Sequence, residues 1–378
     1  MLYSTSRSAG VRARRVTVGA SGTAARYPPP LPAADRARGR GATSPGGTTA
    51  GRSAGPSAHG GPAAPARLGS GAMTATVLDP SPVAAAFRDQ VRSDVQRLAA
   101  RGRSLRVVGL ISQEKGPAAT YARYARRGFE DVGIDFDLRL TTASEAGAAL
   151  AAANTDPDVD GVFLYYPLTD RVGDRWLREL VDPRKDVEGM HSFWGRLLYE
   201  NTRFVDPERT VRAILPCTPL AVLKLLEAAG LHSDRESAPL EGVTACVINR
   251  SDVVGRPLAA MLANDGARVH SLDLTGSLTF EPAVGRHAHD VRASDIDRRA
   301  ALAAADVVIS AVPSRDFELV RADELKDGAI CVDVAEFTNF DPSVQERARV
   351  FVPRVGPLTI AMAARNLVRL ASARQPSA

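Results

Sequence analysis

The chain has 378 residues, a formal net charge of +5 and 44% hydrophobic residues, enough material for two domains of ordinary size. Residues 1–72 hold ten arginines, no lysine and one acid, Asp35, so they carry +9 and leave −4 on residues 73–378. A mildly acidic body argues against a nucleic-acid partner, and no run of about 18 apolar residues is present to span a membrane.

Taken in chain order, residues 1–72 come first. They are Gly, Ala, Pro, Ser, Thr and Arg without the apolar periodicity that builds a core. We read them as a disordered tail or as a segment ahead of the true start at Met73. An Arg-rich, acid-poor stretch also has the composition of an organellar address. Three well-separated cysteines, Cys217, Cys246 and Cys331, lack paired metal-ligand spacing and suit a reducing cytoplasm.

From residue 83 onward helical and strand periods alternate, and each strand is apolar enough to be buried on both faces. The first half reads as a helix over about 83–101 with Ser81 as its cap, strand LRVVGLIS, helix 117–131, strand DFDLRLT, helix 144–153, strand GVFLYYP and a helix near 174–181. The second half reads as helix TPLAVLKLLEAAG, strand TACVINR, helix 256–264, strand RVHSLD, helix 297–304, strands DVVISAV, AICVDV and VFV, and a last helix over 357–371. The expected class is α/β, with one open parallel sheet in each half. Residues 275–296 form a polar insertion without a pattern; its His287 and His289 lack a third ligand and read as solvent-exposed, so no metal is expected.

One unit carries a chemical signal. TACVINR runs through SDVVGRP into a helix, and such a turn offers unpaired N–H groups and a helix dipole to a pyrophosphate. The unit lacks a full GxGxxG. Asp273, 24 residues after Asn249 and at the end of the next strand, stands where a dinucleotide fold places the acid for the ribose hydroxyls.

Read together, TYARYARRGFEDVGI, DGVFLYYPL, VDPRKDVEGMHSFWGRL, ILPCTPLAVLKLLE, VINRSDVVGRPLAAMLANDGA and RVGPLTIAMAARNL resemble, in order and spacing, the methylenetetrahydrofolate dehydrogenase/cyclohydrolase family over residues 80–372. ILPCTPLA, VINRS, VGRPLAA and LANDGA are shared with its NAD-dependent, monofunctional members. The resemblance implies a folate-binding catalytic domain over 73–217 plus 353–378, to which the last helix returns. It also implies a Rossmann-type NAD-binding domain over 218–352, a tetrahydrofolate substrate, NAD as coenzyme and a homodimer. Tyr121 matches the tyrosine against the folate's aminobenzoyl ring. Asp186 and Glu188 fall in the family's KDVDG, with Glu188 in place of the aspartate that holds the pterin, and Thr359 follows the RVGP block near the nicotinamide. Pro216–Pro219 match the hinge between domains, with Cys217 read as a small buried hydrophobe. Arg250, Ser251, Gly255 and Pro257 match the coenzyme turn, which also holds Val254, and Asp273 the ribose acid, with Val312 further along the same site; Asn249 and Pro313, also expected at the coenzyme, and Arg354 stand where the family has glycine.

The departures are as informative. Where the bifunctional members carry a lysine four residues after the tyrosine, and a glutamine that holds it, this chain has Ala125 and Tyr165. The expected catalytic positions are therefore Tyr121 and Tyr165, without the amine. Arg126 and Arg127 cannot replace a proton carrier, because guanidinium stays protonated. Oxidation of the methylene bridge needs orientation above all, whereas hydrolysis of the methenyl product needs a tuned acid/base. The expected activity is NAD-dependent oxidation of 5,10-methylenetetrahydrofolate without cyclohydrolase. Lys115 and Lys185 are the nearby amines that could overturn this. A bifunctional enzyme and a folate- or nucleotide-binding protein without turnover are the alternatives.

Overall fold

Short Val-, Ile- and Leu-rich strands can be buried on both faces only under covering helices, and both halves of this chain are built that way. The computed structural model describes residues 74–233, 235, 238–283 and 289–374, all within one compact unit, Arg67–Ala378. The expected tail 1–72, Met73 and His287 lie outside those residues.

A two-residue strand, β1 (Thr76–Val77), precedes helix α1 (Pro80–Ala99). The cap of α1 is Asp79, whose carboxylate accepts from the Ser81 N–H at 3.1 Å, and not Ser81 as expected. Pro80, which has no N–H to lose, suits the first helical turn, and the helix begins there.

The first half continues as β2 (Arg106–Ile111), α2 (Pro117–Glu130), β3 (Asp135–Leu140), α3 (Ala146–Thr155), β4 (Gly161–Tyr165) and α4 (Arg171–Leu180). Its sheet has the order β3-β2-β4, all parallel. Helix α5 (Ser192–Tyr199) had no counterpart in the sequence reading, since eight residues give too short a window for a helical period. It exists because His191 Nδ1 accepts from the Phe193 N–H at 2.9 Å and because Trp194, Leu197 and Leu198 are buried.

The second half comprises α6 (Cys217–Ala228), β5 (Thr244–Ile248), α7 (Gly255–Asn264), β6 (Arg268–Leu272), β7 (Ser277–Pro282), β8 (His289–Ser294), α8 (Arg298–Ala304), β9 (Val307–Ser310), β10 (Ile330–Asp333), β11 (Val350–Val352) and α9 (Gly356–Ala373). Its sheet is eight-stranded with the order β1-β11-β10-β9-β5-β6-β7-β8.

Three expectations are corrected here. The stretch read as patternless contains β7 and β8, paired antiparallel to each other, with β7 antiparallel to β6. Phe280 anchors that extension at 2% exposure, while β8 is an edge strand that tolerates polar residues. His289 is half-buried rather than exposed: its Nδ1 lies 2.9 Å from Asn264 Oδ1 and its ring stacks on Phe280. The start of the chain's body also departs from the assigned boundary, because β1 extends the second sheet, with Thr76 opposite Val350. Helix α9 leaves that sheet and packs on α1, α2 and α6, covering the first half.

Candidate functional site

Alternate residues of a strand share a face, so Phe163 and Tyr165 of β4 present their rings side by side. They stack with centroids 4.7 Å apart, and Tyr121 of α2 meets them edge-on at 6.3 Å and 6.1 Å. One turn further along α2, Ala125 is fully enclosed in the same apolar cluster. The hydroxyls of Tyr165 and Tyr166 are buried without a hydrogen-bond partner among the described residues. Burial pushes the phenols of Tyr121, Tyr165 and Tyr166 well above their ordinary range, so all three are neutral hydroxyls.

The segment following α4 brings the carboxylates. Val162 of β4 bridges Asp186 in parallel, laying the loop beside the sheet edge. Gly189 lets that loop approach the hinge: its φ is +69°, and a Cβ there would stand 2.8 Å from the Leu215 carbonyl carbon. Asp186, expected to bind substrate, is 3% exposed, and its oxygens accept from the N–H groups of Glu188, Gly189 and His191 at 3.2, 3.0 and 2.7 Å. It shapes the loop and is not among the residues lining the cleft. Glu188 does line it. One of its oxygens accepts from the Leu164 N–H at 3.1 Å, and burial first, with the Asp186 charge adding, pushes its carboxyl up to about 8 against that hydrogen bond.

The two lysines considered as proton carriers are placed elsewhere. Lys185 is 7% exposed, and its Nζ donates to the carbonyls of Ala153 at 3.0 Å and Asp156 at 2.6 Å, on the α3 side of the sheet. Lys115 is exposed and does not line the cleft.

The hinge is held from within. Asn366 of α9, fully buried, donates to the carbonyls of Val187 and Leu215, both at 3.0 Å, and approaches Cys217 Sγ at 3.5 Å. The Cys217 thiol donates to Val187 O at 3.2 Å, and burial raises its pKa, as suits an inert buried residue. Asn366 thereby ties the Glu188 loop, the hinge and the last helix together. Sequence reading assigned it no role, since nothing local marks an asparagine whose partners lie 179 and 151 residues away. Thr359, one residue type the reading did single out, is buried in the first turns of α9 and lines the cleft.

Across the cleft lies the turn into α7. Asn249 has φ +79°, and its side chain donates to Ala311 O at 2.6 Å. A Cβ on Gly255 would fall 1.7 Å from Asn249 O, so only glycine fits. The Ser251 hydroxyl accepts from the Val254 N–H at 3.2 Å, closing the turn that leads into α7. Asp273 accepts from Arg250 N at 2.8 Å and from Thr275 N and Oγ1 at 3.1 and 3.0 Å. Burial would raise its pKa, but these hydrogen bonds and the Arg250 charge hold the carboxyl below its usual value. The Arg250 guanidinium is spent on Ser271 O, Thr275 Oγ1 and Gly276 O. Pro257 is buried and borders a second cavity of about 610 Å³ with Asp252 and Arg256. Val312 is held at both ends of its peptide by Asn339, whose Oδ1 accepts from Val312 N at 2.9 Å while its Nδ2 donates to Val312 O at 3.1 Å. Pro313 follows, exposed.

The cleft between these walls has a volume of about 880 Å³. Of the residues expected to act, Tyr121, Tyr165, Glu188, Val254 and Thr359 line it. Asn249, Arg250, Ser251, Gly255, Pro257, Asp273, Val312 and Pro313 do not line it but build the neighbouring turns at the ends of β5, β6 and β9. Tyr166, Met190 and Glu336 line it without having been singled out. Tyr166 could have been found as the second tyrosine of a strand end in which the first was already suspected.

Comparison with known proteins agrees with this architecture. Residues 78–188 match the model of the tetrahydrofolate dehydrogenase/cyclohydrolase catalytic domain, and residues 216–375 that of the tetrahydrofolate dehydrogenase/cyclohydrolase NAD(P)-binding domain. The methylenetetrahydrofolate dehydrogenase [NAD(+)] of Schizosaccharomyces pombe is 38% identical over 272 residues, covering 71% of this chain and 85% of its own. The solved NAD-dependent 5,10-methylenetetrahydrofolate dehydrogenase of Saccharomyces cerevisiae superposes with a TM-score of 0.75 at 33% identity, over 79% of this chain and 98% of that one. The bifunctional FolD methylenetetrahydrofolate dehydrogenase/cyclohydrolase of Campylobacter jejuni gives 0.65 at 28%, over 79% and 99%. With its two walls, its hinge and both domain models matched in order, the chain belongs to the tetrahydrofolate dehydrogenase/cyclohydrolase family.

Proposed function

We propose that this protein oxidises 5,10-methylenetetrahydrofolate to 5,10-methenyltetrahydrofolate with NAD, and that it does not hydrolyse the product. The observation that carries the reading is the aromatic wall of Tyr121, Phe163 and Tyr165 facing a cleft that no lysine lines among the described residues. When bound, NAD supplies the hydride acceptor. The turn Asn249–Gly255 suits its pyrophosphate, because Gly255 admits backbone where a side chain would collide and α7 directs its free N–H groups there. Asp273 suits the ribose hydroxyls at the end of β6.

In this reading Tyr121 stacks on the flat part of the folate and Glu188 accepts from the pterin's adjacent donors once ionised. The unpartnered hydroxyls of Tyr165 and Tyr166 supply further hydrogen bonds to the substrate. Together these residues orient the reacting carbon and exclude water, which is most of what the oxidation asks of side chains. Hydrolysis asks for a proton handler, and Lys185 is engaged on the far side of the first sheet. A homodimer and a cytoplasmic location complete the reading. The former rests on the family resemblance and the latter on three buried free thiols.

The deciding experiment supplies purified protein with methylenetetrahydrofolate and NAD and follows reduced coenzyme and folate species together. Coenzyme reduction with methenyltetrahydrofolate accumulating is expected. Formyltetrahydrofolate appearing faster than by spontaneous hydrolysis would establish the bifunctional alternative, and no reduction at all the non-catalytic one.

A further inference from the structure

A second constellation lies away from the cleft, beside the latter half of α9. There a cavity of about 310 Å³ is bounded by α5, α6, α7 and α9 and is lined by five cationic side chains and two carboxylates. Two of the cations are already matched: Arg203 pairs with Asp265 at 2.7 Å and Lys224 with Glu227 at 2.5 Å. Arg212, Arg365 and Arg369 remain, and none of them forms an ion pair among the described residues.

Their placement is fixed by packing. The Arg212 guanidinium lies 5.0 Å from the Phe204 ring centroid and that of Arg365 lies 5.5 Å from Phe87. Arg365 and Arg369 are one turn apart on α9 and so share a helix face, an arrangement that repels when nothing neutralises it. Burial first, and then the charges of Arg365 and Arg212, push the Arg369 guanidinium down to about 10. Asp94 of α1 is the nearby carboxylate that acts on Arg365, but it is paired with Arg97.

Two half-enclosed guanidinium groups, Arg365 and Arg369, with the exposed Arg212 beside them and no counter-charge, cost stability unless an anion joins them. Planar forks of N–H donors match the oxygens of a phosphoryl group two at a time. A volume of about 310 Å³ admits a compact molecule and excludes a dinucleotide. We propose that Arg212, Arg365 and Arg369 form a binding site for a small phosphate-bearing dianion, distinct from the folate and coenzyme cleft. The same α9 carries Thr359 into the cleft and Asn366 beneath the hinge, so the occupant bears on a helix that lines the catalytic wall.

The test is thermal melting of the full chain at constant ionic strength while inorganic phosphate replaces chloride. The melting temperature is expected to rise with phosphate, and Arg369→Gln to raise the half-saturating concentration at least tenfold. Without phosphate, Arg369→Gln should melt at or above the parent, since it removes a repulsion. Arg212→Gln, an exposed position, gives a second variant that keeps the fold and should weaken the response likewise. A phosphorylated three-carbon acid in place of inorganic phosphate identifies the source: the compound with the lower half-saturation is the ligand class. No response in the parent, or an equal response in parent and both variants, overturns the proposal. So does sedimentation in which the variants change the association state, because the arginines then receive an acidic group from a second copy.

Discussion

The backbone N–H of Arg250 donates to the Asp273 carboxylate at 2.8 Å, so the residue that opens the glycine turn is tied to the residue that ends β6. The same carboxylate takes two bonds from Thr275. Asp273 is therefore both a fixed negative charge beside the turn and a brace for it.

A coenzyme carrying a 2′-phosphate would bring like charge to that carboxylate. At about 4 Å and an effective dielectric of about 20 the repulsion is about 4 kcal/mol, and the half-exposure of Asp273 reduces it to about 1–2 kcal/mol. NAD should be preferred by at least about tenfold in kcat/KM. Asp273→Ser should shrink the ratio while lowering activity with NAD, because the brace is weakened too. Equal use of both coenzymes by the parent protein would remove Asp273 from this role.

Glu188 predicts a pH dependence with a definite sign. Its carboxyl is raised from 4.5 to about 8, so above pH 4.5 the folded protein holds a proton that the unfolded chain releases. The stabilisation is complete below pH 4.5 and drains away as pH rises to about 8, on the order of a few kcal/mol in all. Glu188→Gln keeps an acceptor for the Leu164 N–H and does not titrate. Its melting temperature should gain on the parent's steadily over that interval. Folate affinity should move oppositely in the parent, improving as Glu188 ionises, and stay flat in the variant. Parallel melting profiles would show that the carboxyl is not held neutral.

Ala125 is fully enclosed, so restoring a lysine there is not a simple addition of function. Ala125→Lys should lower stability by several kcal/mol through overpacking and charge burial without producing hydrolysis of methenyltetrahydrofolate. Adding Tyr165→Gln, which shortens a neighbour in the same cluster, should recover part of the loss. Calorimetry on the parent and the two variants and a formyltetrahydrofolate assay settle both points; full stability of Ala125→Lys alone would contradict the packing described above.

Asn366 gives a prediction about mechanics rather than chemistry. Replacing it with leucine strands the Leu215 carbonyl in the interior and leaves the Val187 carbonyl only the weak Cys217 thiol donor, at a cost of about 1–3 kcal/mol. Because Val187 precedes Glu188, KM for the folate should rise more than kcat falls. A variant that melts like the parent, or that loses kcat alone, would assign the hinge tether elsewhere.

Much of this was legible in the amino-acid order. Alternating periods set the α/β class, the six blocks carry the family, and the Tyr121–Ala125 spacing points to the missing amine. These are local signals, readable because helix and strand geometry repeats within a few residues. What tertiary structure alone decided involves partners far apart in the chain. Asp186 and Glu188 look equivalent in DPRKDVEG, yet backbone N–H groups claim one and the cleft receives the other. Lys185 reads as an available amine until the carbonyls of α3's end hold it away. Asn366, the placement of β1 beside β11 and the approach of Arg212 to the Arg365–Arg369 pair leave no periodic trace, because hydrogen bonds and charge proximity across more than a hundred residues are fixed by packing.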